Sequence, residues 1–460
     1  MLLLVLLGGA AVILNVAFFR RVSSEDEDDA DAPVPSLEQD ARFAESLWHI
    51  ASDCPTPRGI VLPLFDDIAT LGISLILELR EMGVALPIEI PHCGDLNPAL
   101  YEQLVQQDRR VRVYDVCVQA SSKVDATTGQ PLFCMDLAHC HKKFRSFDIK
   151  VLAVVLSRFQ ELMLLDADTL FFQNPMDLWA TPKYQQTGTL FFRDRISYER
   201  SYLAKRTVDG RERIAAIHDF LSKFEVSPYK TLTSIARPPS VLAKLSPVPL
   251  SFEPSDELLQ SHAWALRAGH QMDSSLVLWD KRRQPRATVI LASFVARNGR
   301  TTPPSYGDKE LYFLACELAE TKYAFSDHAV GTIGVDIITD AGDDQSVICG
   351  DALHYFPEPV TRGLEPRPLY MNSDSILEWG SETKPIYRTK ALPAWYYPGS
   401  FKDRGLSQVC PFNVSLVPLM DVEAALLARR HQLHQTAETW AETSGFVKPA
   451  KKGLWRRFFG

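Results

Sequence analysis

From residue 59 onward, short apolar runs alternate with segments whose apolar positions recur at helical spacing. Gly59-Ile60-Val61-Leu62-Pro63-Leu64 predicts a first strand, and Ile68, Leu71, Leu75 and Leu79 line one face of a helix that ends near Gly83. Residues 87–90 and 111–116 predict a second and a third strand, with a helix over 99–107 between them. A helix over 146–159 leads into a fourth, buried strand at Leu162–Leu165. Strands alternating with helices imply a parallel sheet with right-handed crossovers, a Rossmann-like nucleotide-binding half. The first strand is not followed by G-x-G-x-x-G, so nothing supports a dinucleotide cofactor.

Further along, residues 174–179 start a short helix and 188–194 read as a strand. Residues 195–260 are basic and broken by prolines, and their weak periodicity predicts a surface insertion. Gln271-Met272-Asp273-Ser274-Ser275 reads as an acidic turn before an apolar strand ending at Lys281. Gly307-Asp308 is a turn that opens a helix, whereas residues 349–354 and 368–374 predict strand ends near the same sheet edge. Residues 420–443 are helical in pattern.

The N-terminus follows a different pattern. Met1 to Phe19 carries no charged side chain and, as a helix, spans about 28 Å, enough to cross a bilayer. The run lacks a basic start and a small-residue cleavage site, which favours an uncleaved anchor over a signal peptide. Arg20 and Arg21 follow it, and by the positive-inside rule they would leave the large domain in the cytosol. The seven residues from Glu25 to Asp31 hold six acids and read as a solvated spacer. The expected organisation is an anchor at 1–19, an acidic stem at 20–50, a catalytic domain at 51–445 and a basic, aromatic tail at 446–460. Charged residues make up 23% and hydrophobic residues 46% of the chain, values that exclude a disordered or polytopic membrane protein. The net charge of -8 argues against a nucleic-acid partner.

The richest chemistry lies where the apolar run at 162–165 ends in Asp166-Ala167-Asp168. Two carboxylates one residue apart, at the carboxyl end of a buried strand, suit a hard divalent cation that fills its remaining positions with phosphate oxygens and water. Mn²⁺ or Mg²⁺ there neutralises a diphosphate, as a nucleotide-sugar site requires. The same tripeptide also serves phosphatases of the haloacid dehalogenase type, with the first Asp as nucleophile. Those normally carry it on the first strand and follow it with Thr or Val where this chain has Leu170. A glycan-binding module without turnover is a third reading. Eight cysteines permit up to four disulfides. Cys134 and Cys140, despite His139 and His141 nearby, match no standard zinc spacing and predict a local disulfide or buried thiols. Asn413-Val414-Ser415 is a glycosylation sequon.

In order along the chain, four elements resemble the fungal Golgi α-mannosyltransferase family of the Mnn1 and Mnn2 type, glycosyltransferase family 71. They are Phe147-Asp148-Ile149-Lys150 through Ser157-Arg158-Phe159 to Leu164-Leu165-Asp166-Ala167-Asp168; Asp273-Ser274-Ser275 with Asp280-Lys281-Arg282; Gly307-Asp308-Lys309-Glu310; and Cys349-Gly350 with His354, followed by Pro368-Leu369-Tyr370-Met371-Asn372. The resemblance implies a GT-A fold, a Rossmann-like mixed α/β sheet flanked by helices, in a single-pass type II Golgi membrane protein with a luminal catalytic domain. It also implies metal-dependent transfer of mannose from GDP-mannose to a glycan hydroxyl, with retention at the anomeric carbon. On that reading Asp166, Asp168 and His354 hold the metal, while Asp166, Lys150 and Arg158 meet the donor. Asp308 and Asp273 act at the reacting sugar; the plain alternative for Asp308 is a helix N-cap. Ser275 stands where the family usually has glycine, which narrows the donor pocket or alters its turn and leaves a UDP-sugar donor open.

Overall fold

The computed structural model describes residues 37–196, 202–206, 214–297, 302–337, 347–358, 365–373, 385–396, 411 and 414–446. The expected anchor and tail, most of the stem, Asp374, Cys410 and the Asn413 sequon position lie outside them. Among the described residues no helix is long and apolar enough to cross a membrane. The chain falls into two compact units, residues 1–40 and 41–460. Residues 37–40 are the described part of the first and begin the helix Leu37–Ala51. The stem expected to reach residue 50 is therefore helical over its last part. Ala44, Leu47 and Ala51, on one face of that helix, are fully buried.

The strands, in chain order, are β1 Thr56–Val61, β2 Ile88–His92, β3 Val111–Asp115, β4 Phe159–Leu165, β5 Thr169–Phe171, β6 Thr189–Arg193 and β7 Met272–Asp280, then β8 His328–Ala329, β9 Gly331–Ile337, β10 Val347–Tyr355, β11 Pro368–Asn372, β12 Ile386–Thr389, β13 Leu392–Pro393 and β14 Leu416–Pro418. A first sheet runs β3-β2-β1-β4-β7-β6. Its first four strands are parallel, with Ile60 beside Met163; β7 adds antiparallel to β4, and β6 adds antiparallel to β7. The expected mixed α/β sheet is present.

Near-continuous apolar runs suit strands covered on both faces, and alternation then decides which face each residue feeds. Leu162 and Leu164 pack with the helices Asp148–Leu156, Pro285–Val295 and Leu311–Leu318. Met163 and Leu165 point the other way, toward the helix Ala69–Glu81 and the C-terminal helix Asp421–Thr443.

The chain lays down β1, β2 and β3 outward and then returns to β4 on the far side of β1. Strand order reverses between β1 and β4, and a crevice opens beyond their carboxyl ends. A second sheet, β14-β12-β9-β10-β11-β5, is antiparallel throughout. Only Asp166, Ala167 and Asp168 separate β4 of the first sheet from β5 of the second.

Three expectations change. The helix before β4 stops at Leu156, and Phe159 already belongs to the strand. Asp273, Ser274 and Ser275 form no turn; they lie inside β7, all of whose nine residues are buried. Residues 195–260 are a surface insertion only in part: among the described residues, 230–247 are exposed or half-buried, but the stretch before them is packed into the core. The helix Ala216–Lys223 buries Ile217, Phe220 and Leu221, and Phe220 and Phe224 pack ring to ring against Phe294 of the core.

Candidate active site

The crevice between β1 and β4 is a cleft of about 270 Å³. Pro63, Leu64 and Phe65 line it from the end of β1, and Asp166, Ala167 and Asp168 from the end of β4. Phe147 and Lys150 enter from the helix before β4, and Arg145 from the segment just ahead of it. Asp67 and Asp95 complete its polar wall.

Lys150 organises the acidic side. Its Nζ lies 2.8 Å from Asp166 Oδ1 and 3.1 Å from Asp308 Oδ2, and donates to Ser274 Oγ at 3.0 Å and Ser274 O at 3.1 Å. Burial alone would lower the ammonium's pKa, but the charges of Asp166 and Asp308 outweigh it and hold Lys150 above its ordinary value. Burial pushes Asp166 up to about 6, with Lys150 opposing the rise and Asp308 adding to it. Burial likewise raises Asp308 against the pull of Lys150. One lysine between the buried Asp308 and the half-buried Asp166 leaves the cluster with an excess of negative charge. Asp308 also accepts from Tyr312 OH at 3.0 Å. Its side chain is no N-cap: Glu310 holds the cap position of the helix Leu311–Leu318, and Asp308 contributes only its backbone carbonyl, to Leu311 N. Gly307, at φ +59°, lets this turn press against the Phe147 ring, where a Cβ would come within 2.6 Å.

Asp273 and His354 form a second buried pair. His354 Nε2 lies 2.8 Å from Asp273 Oδ2, and the imidazole stacks on Tyr370 with centroids 4.5 Å apart. Burial would raise the Asp273 carboxyl, but the hydrogen bond and charge of His354 outweigh it and hold it well below its usual range; Lys309 and the Ser275 N–H add to this. Its other oxygen accepts from Ser275 N at 2.9 Å. Both oxygens of Asp273 are thus engaged, as suits an orienting carboxylate.

Asp168 is held from the second sheet, where Asn372 Nδ2 donates to its Oδ1 at 2.8 Å. Its backbone carbonyl accepts from Ser373 N at 3.2 Å. Asp166 N in turn donates to Ser275 O across the first sheet.

The structure gathers Lys150, Asp166, Asp168 and Asp308 but not every expected residue. Arg158 precedes β4 and is exposed, a whole strand of seven residues from Asp166 at the opposite end of the strand. A seven-residue strand spans roughly 23 Å, so Arg158 cannot meet a donor in the cleft. Arg145 is the arginine at the cleft, with Nε donating to Cys93 O at 3.0 Å and Nη2 to Gly94 O at 3.2 Å. The basic run Lys142-Lys143-Phe144-Arg145 was its signal in the sequence. The structure does not gather His354 with Asp166 and Asp168: its Nε2 is turned to Asp273, and among the described residues no three His, Cys, Asp or Glu side chains stand together as a metal-holding group. Asp166 and Asp168 still match what Mn²⁺ or Mg²⁺ takes from a protein when phosphate and water supply the other positions. Ser275 leaves the cleft untouched: it sits mid-strand, with Oγ 3.2 Å from Tyr370 OH.

The open sheet and the acidic cleft at its reversal point define an α/β protein of the class that binds ligands beyond its strand ends. The chain belongs to the mannosyltransferase family whose model, described as "Mannosyltransferase putative", matches residues 57–356. It is 28% identical over 297 residues to "Putative alpha-1,3-mannosyltransferase MNN1" of Candida albicans, covering 60% of this chain and 33% of that protein. With "Alpha-1,3-mannosyltransferase MNN1" of Saccharomyces cerevisiae it shares 27% over 295 residues, or 62% of this chain and 36% of that one. The chain thus spans about a third of the length of these curated relatives. A solved structure titled "WbbM bifunctional glycosytransferase apo structure" aligns with a TM-score of 0.31 at 10% identity, over 59% of this chain and 39% of its own.

Proposed function

We infer that this chain is a GT-A glycosyltransferase that moves mannose from GDP-mannose to a hydroxyl of a mannoside or glycan acceptor, with retention at the anomeric carbon. The observation that carries the reading is the convergence of Asp166, Asp168 and Lys150 on a cleft at the β1/β4 reversal point, with Asp308 buried behind Lys150. The names of the relatives favour an α-1,3 linkage. Asp166 and Asp168 would hold Mn²⁺ or Mg²⁺, which supplies charge neutralisation for the departing diphosphate. Arg145 faces the diphosphate from the opposite wall. Lys150 holds Asp166 and Asp308 in fixed relation, and Asp308 adds its negative charge from behind Lys150. His354 orients Asp273 behind them. The C1–phosphate bond breaks, a bond forms from C1 to the acceptor oxygen, and the hydroxyl proton leaves with the diphosphate or solvent. Such fixed charges act where negative charge develops on the leaving group.

The disulfides Cys93–Cys117 and Cys134–Cys140 support a secretory-pathway location, with the apolar N-terminus anchoring the chain to the Golgi membrane and the domain in the lumen. The test is to incubate the protein with Mn²⁺, a mannoside acceptor, and GDP-mannose or UDP-sugars in parallel. Consumption of GDP-mannose with formation of a disaccharide, lost in Asp168→Asn, is expected. Use of a UDP-sugar instead, or release of inorganic phosphate, would overturn the assignment.

A further inference from the structure

The C-terminal helix Asp421–Thr443 lies outside the matched residues 57–356, yet it reaches the acidic turn. Its Arg430 is 1% exposed. Nη1 donates to Thr169 O at 3.0 Å and Nη2 to Ala167 O at 3.0 Å, the two carbonyls on either side of Asp168. The remaining donors are used as well: Nε bonds Ser74 Oγ at 2.9 Å, Nη2 bonds Leu71 O at 3.2 Å, and Nη1 bonds the Glu78 carboxylate. A guanidinium has five N–H groups, and five contacts account for them.

Desolvating a guanidinium is costly, and helix docking alone does not require one: Leu427, Ala437 and Ala441 of the same helix bury apolar surface without it. What Arg430 adds is a rigid fork that spans both carbonyls of the turn, which a lysine cannot reproduce. Glu78 supplies its counter-charge from the opposing helix.

We propose that Arg430 is a positioning residue that fixes the backbone of the Asp166-Ala167-Asp168 turn, so that both carboxylates meet the nucleotide diphosphate and its cation without reorganisation. The functional half of this inference rests on the nucleotide-sugar reading above; the mechanical half does not.

Two readouts on the full chain separate them. The first is amide hydrogen exchange over residues 163–172. In the native protein the turn amides are expected to exchange together with the helix Asp421–Thr443, and Arg430→Met or Arg430→Lys is expected to speed exchange in the turn by tenfold or more. The second is calorimetric binding of GDP in Mn²⁺, expected to weaken at least tenfold in both variants.

Leu427→Ala, which loosens helix packing without touching the guanidinium, is expected to lower the melting temperature while leaving turn exchange and GDP affinity near native. The proposal falls if either Arg430 variant folds and leaves both readouts unchanged, or if Leu427→Ala at equal loss of stability reproduces both effects. If no Arg430 variant folds, exchange in the unaltered protein decides: a turn that exchanges far faster than the helix overturns the lock. Failure of the unaltered protein to bind GDP with Mn²⁺ would sink the donor reading, and the exchange data would still judge Arg430.

Discussion

At the scale of single residues, two buried lysines sit in opposite surroundings, Lys150 among the acids of the site and Lys281 at the other end of β4. Lys150 stands between the half-buried Asp166 and the buried Asp308, so removing its charge leaves Asp308 buried without its cation. Lys150→Met is expected to cost about 3 to 5 kcal/mol in denaturant unfolding and to abolish transfer; native stability in this variant would show that the ammonium is dispensable. Lys281 is fully buried and donates to the carbonyls of Ser157, at 2.5 Å, and Val155, at 3.4 Å, which close the helix before β4. Burial pushes its ammonium down to about 8. The native chain then releases this proton near pH 8 while the unfolded chain keeps it to about 10.5, so the unfolded state binds more protons in that window and stability rises with pH there. The rise, on the order of 3 kcal/mol at most, is expected to vanish in Lys281→Met when melting is followed from pH 7.5 to 10.5. The carboxylates at 166 and 168 were legible in the sequence because an apolar strand ends on them. Arg430 was not, since a charged residue on a mostly polar helix gives no sign that its partners lie some 260 positions earlier. His354 and Asp273 could each be picked out by residue type, but their pairing depends on β7 and β10 meeting across two sheets.

Among elements, the parallel strands were readable from short β-branched and apolar stretches even though Arg58, Glu89 and Arg112 interrupt them, and their bounds shift by only a few residues from those the pattern predicts. Arg158 illustrates the cost of an uncertain boundary. Once Phe159 belongs to β4, the arginine before it is carried to the end of the strand opposite the cleft. The buried part of the stretch after β6 was not legible because it comes from short helices and turns, which present too few repeats to show a period. Its place in the core predicts that Phe220→Ala destabilises the protein by about 3 kcal/mol, read from the denaturant midpoint. A loss within 0.5 kcal/mol would restore the picture of a loose surface insertion.

For the whole molecule, Cys93–Cys117 joins the chain just past β2 to the helix Val116–Ser121 that follows β3, at the same end of the sheet as the cleft. Reducing it frees a loop of 24 residues, and Cys93→Ser with Cys117→Ser is expected to lose about 3 kcal/mol; identical melting curves with and without reductant would contradict this. The passage from β4 to β5 has a wider effect. On the proposed reading that three-residue bridge is both ligand platform and seam, so grip on a nucleotide would not be separable from cohesion between the two sheets. Occupying the cleft is expected to protect distant strands such as β9 and β10 from protease, as if a single rivet had been tightened.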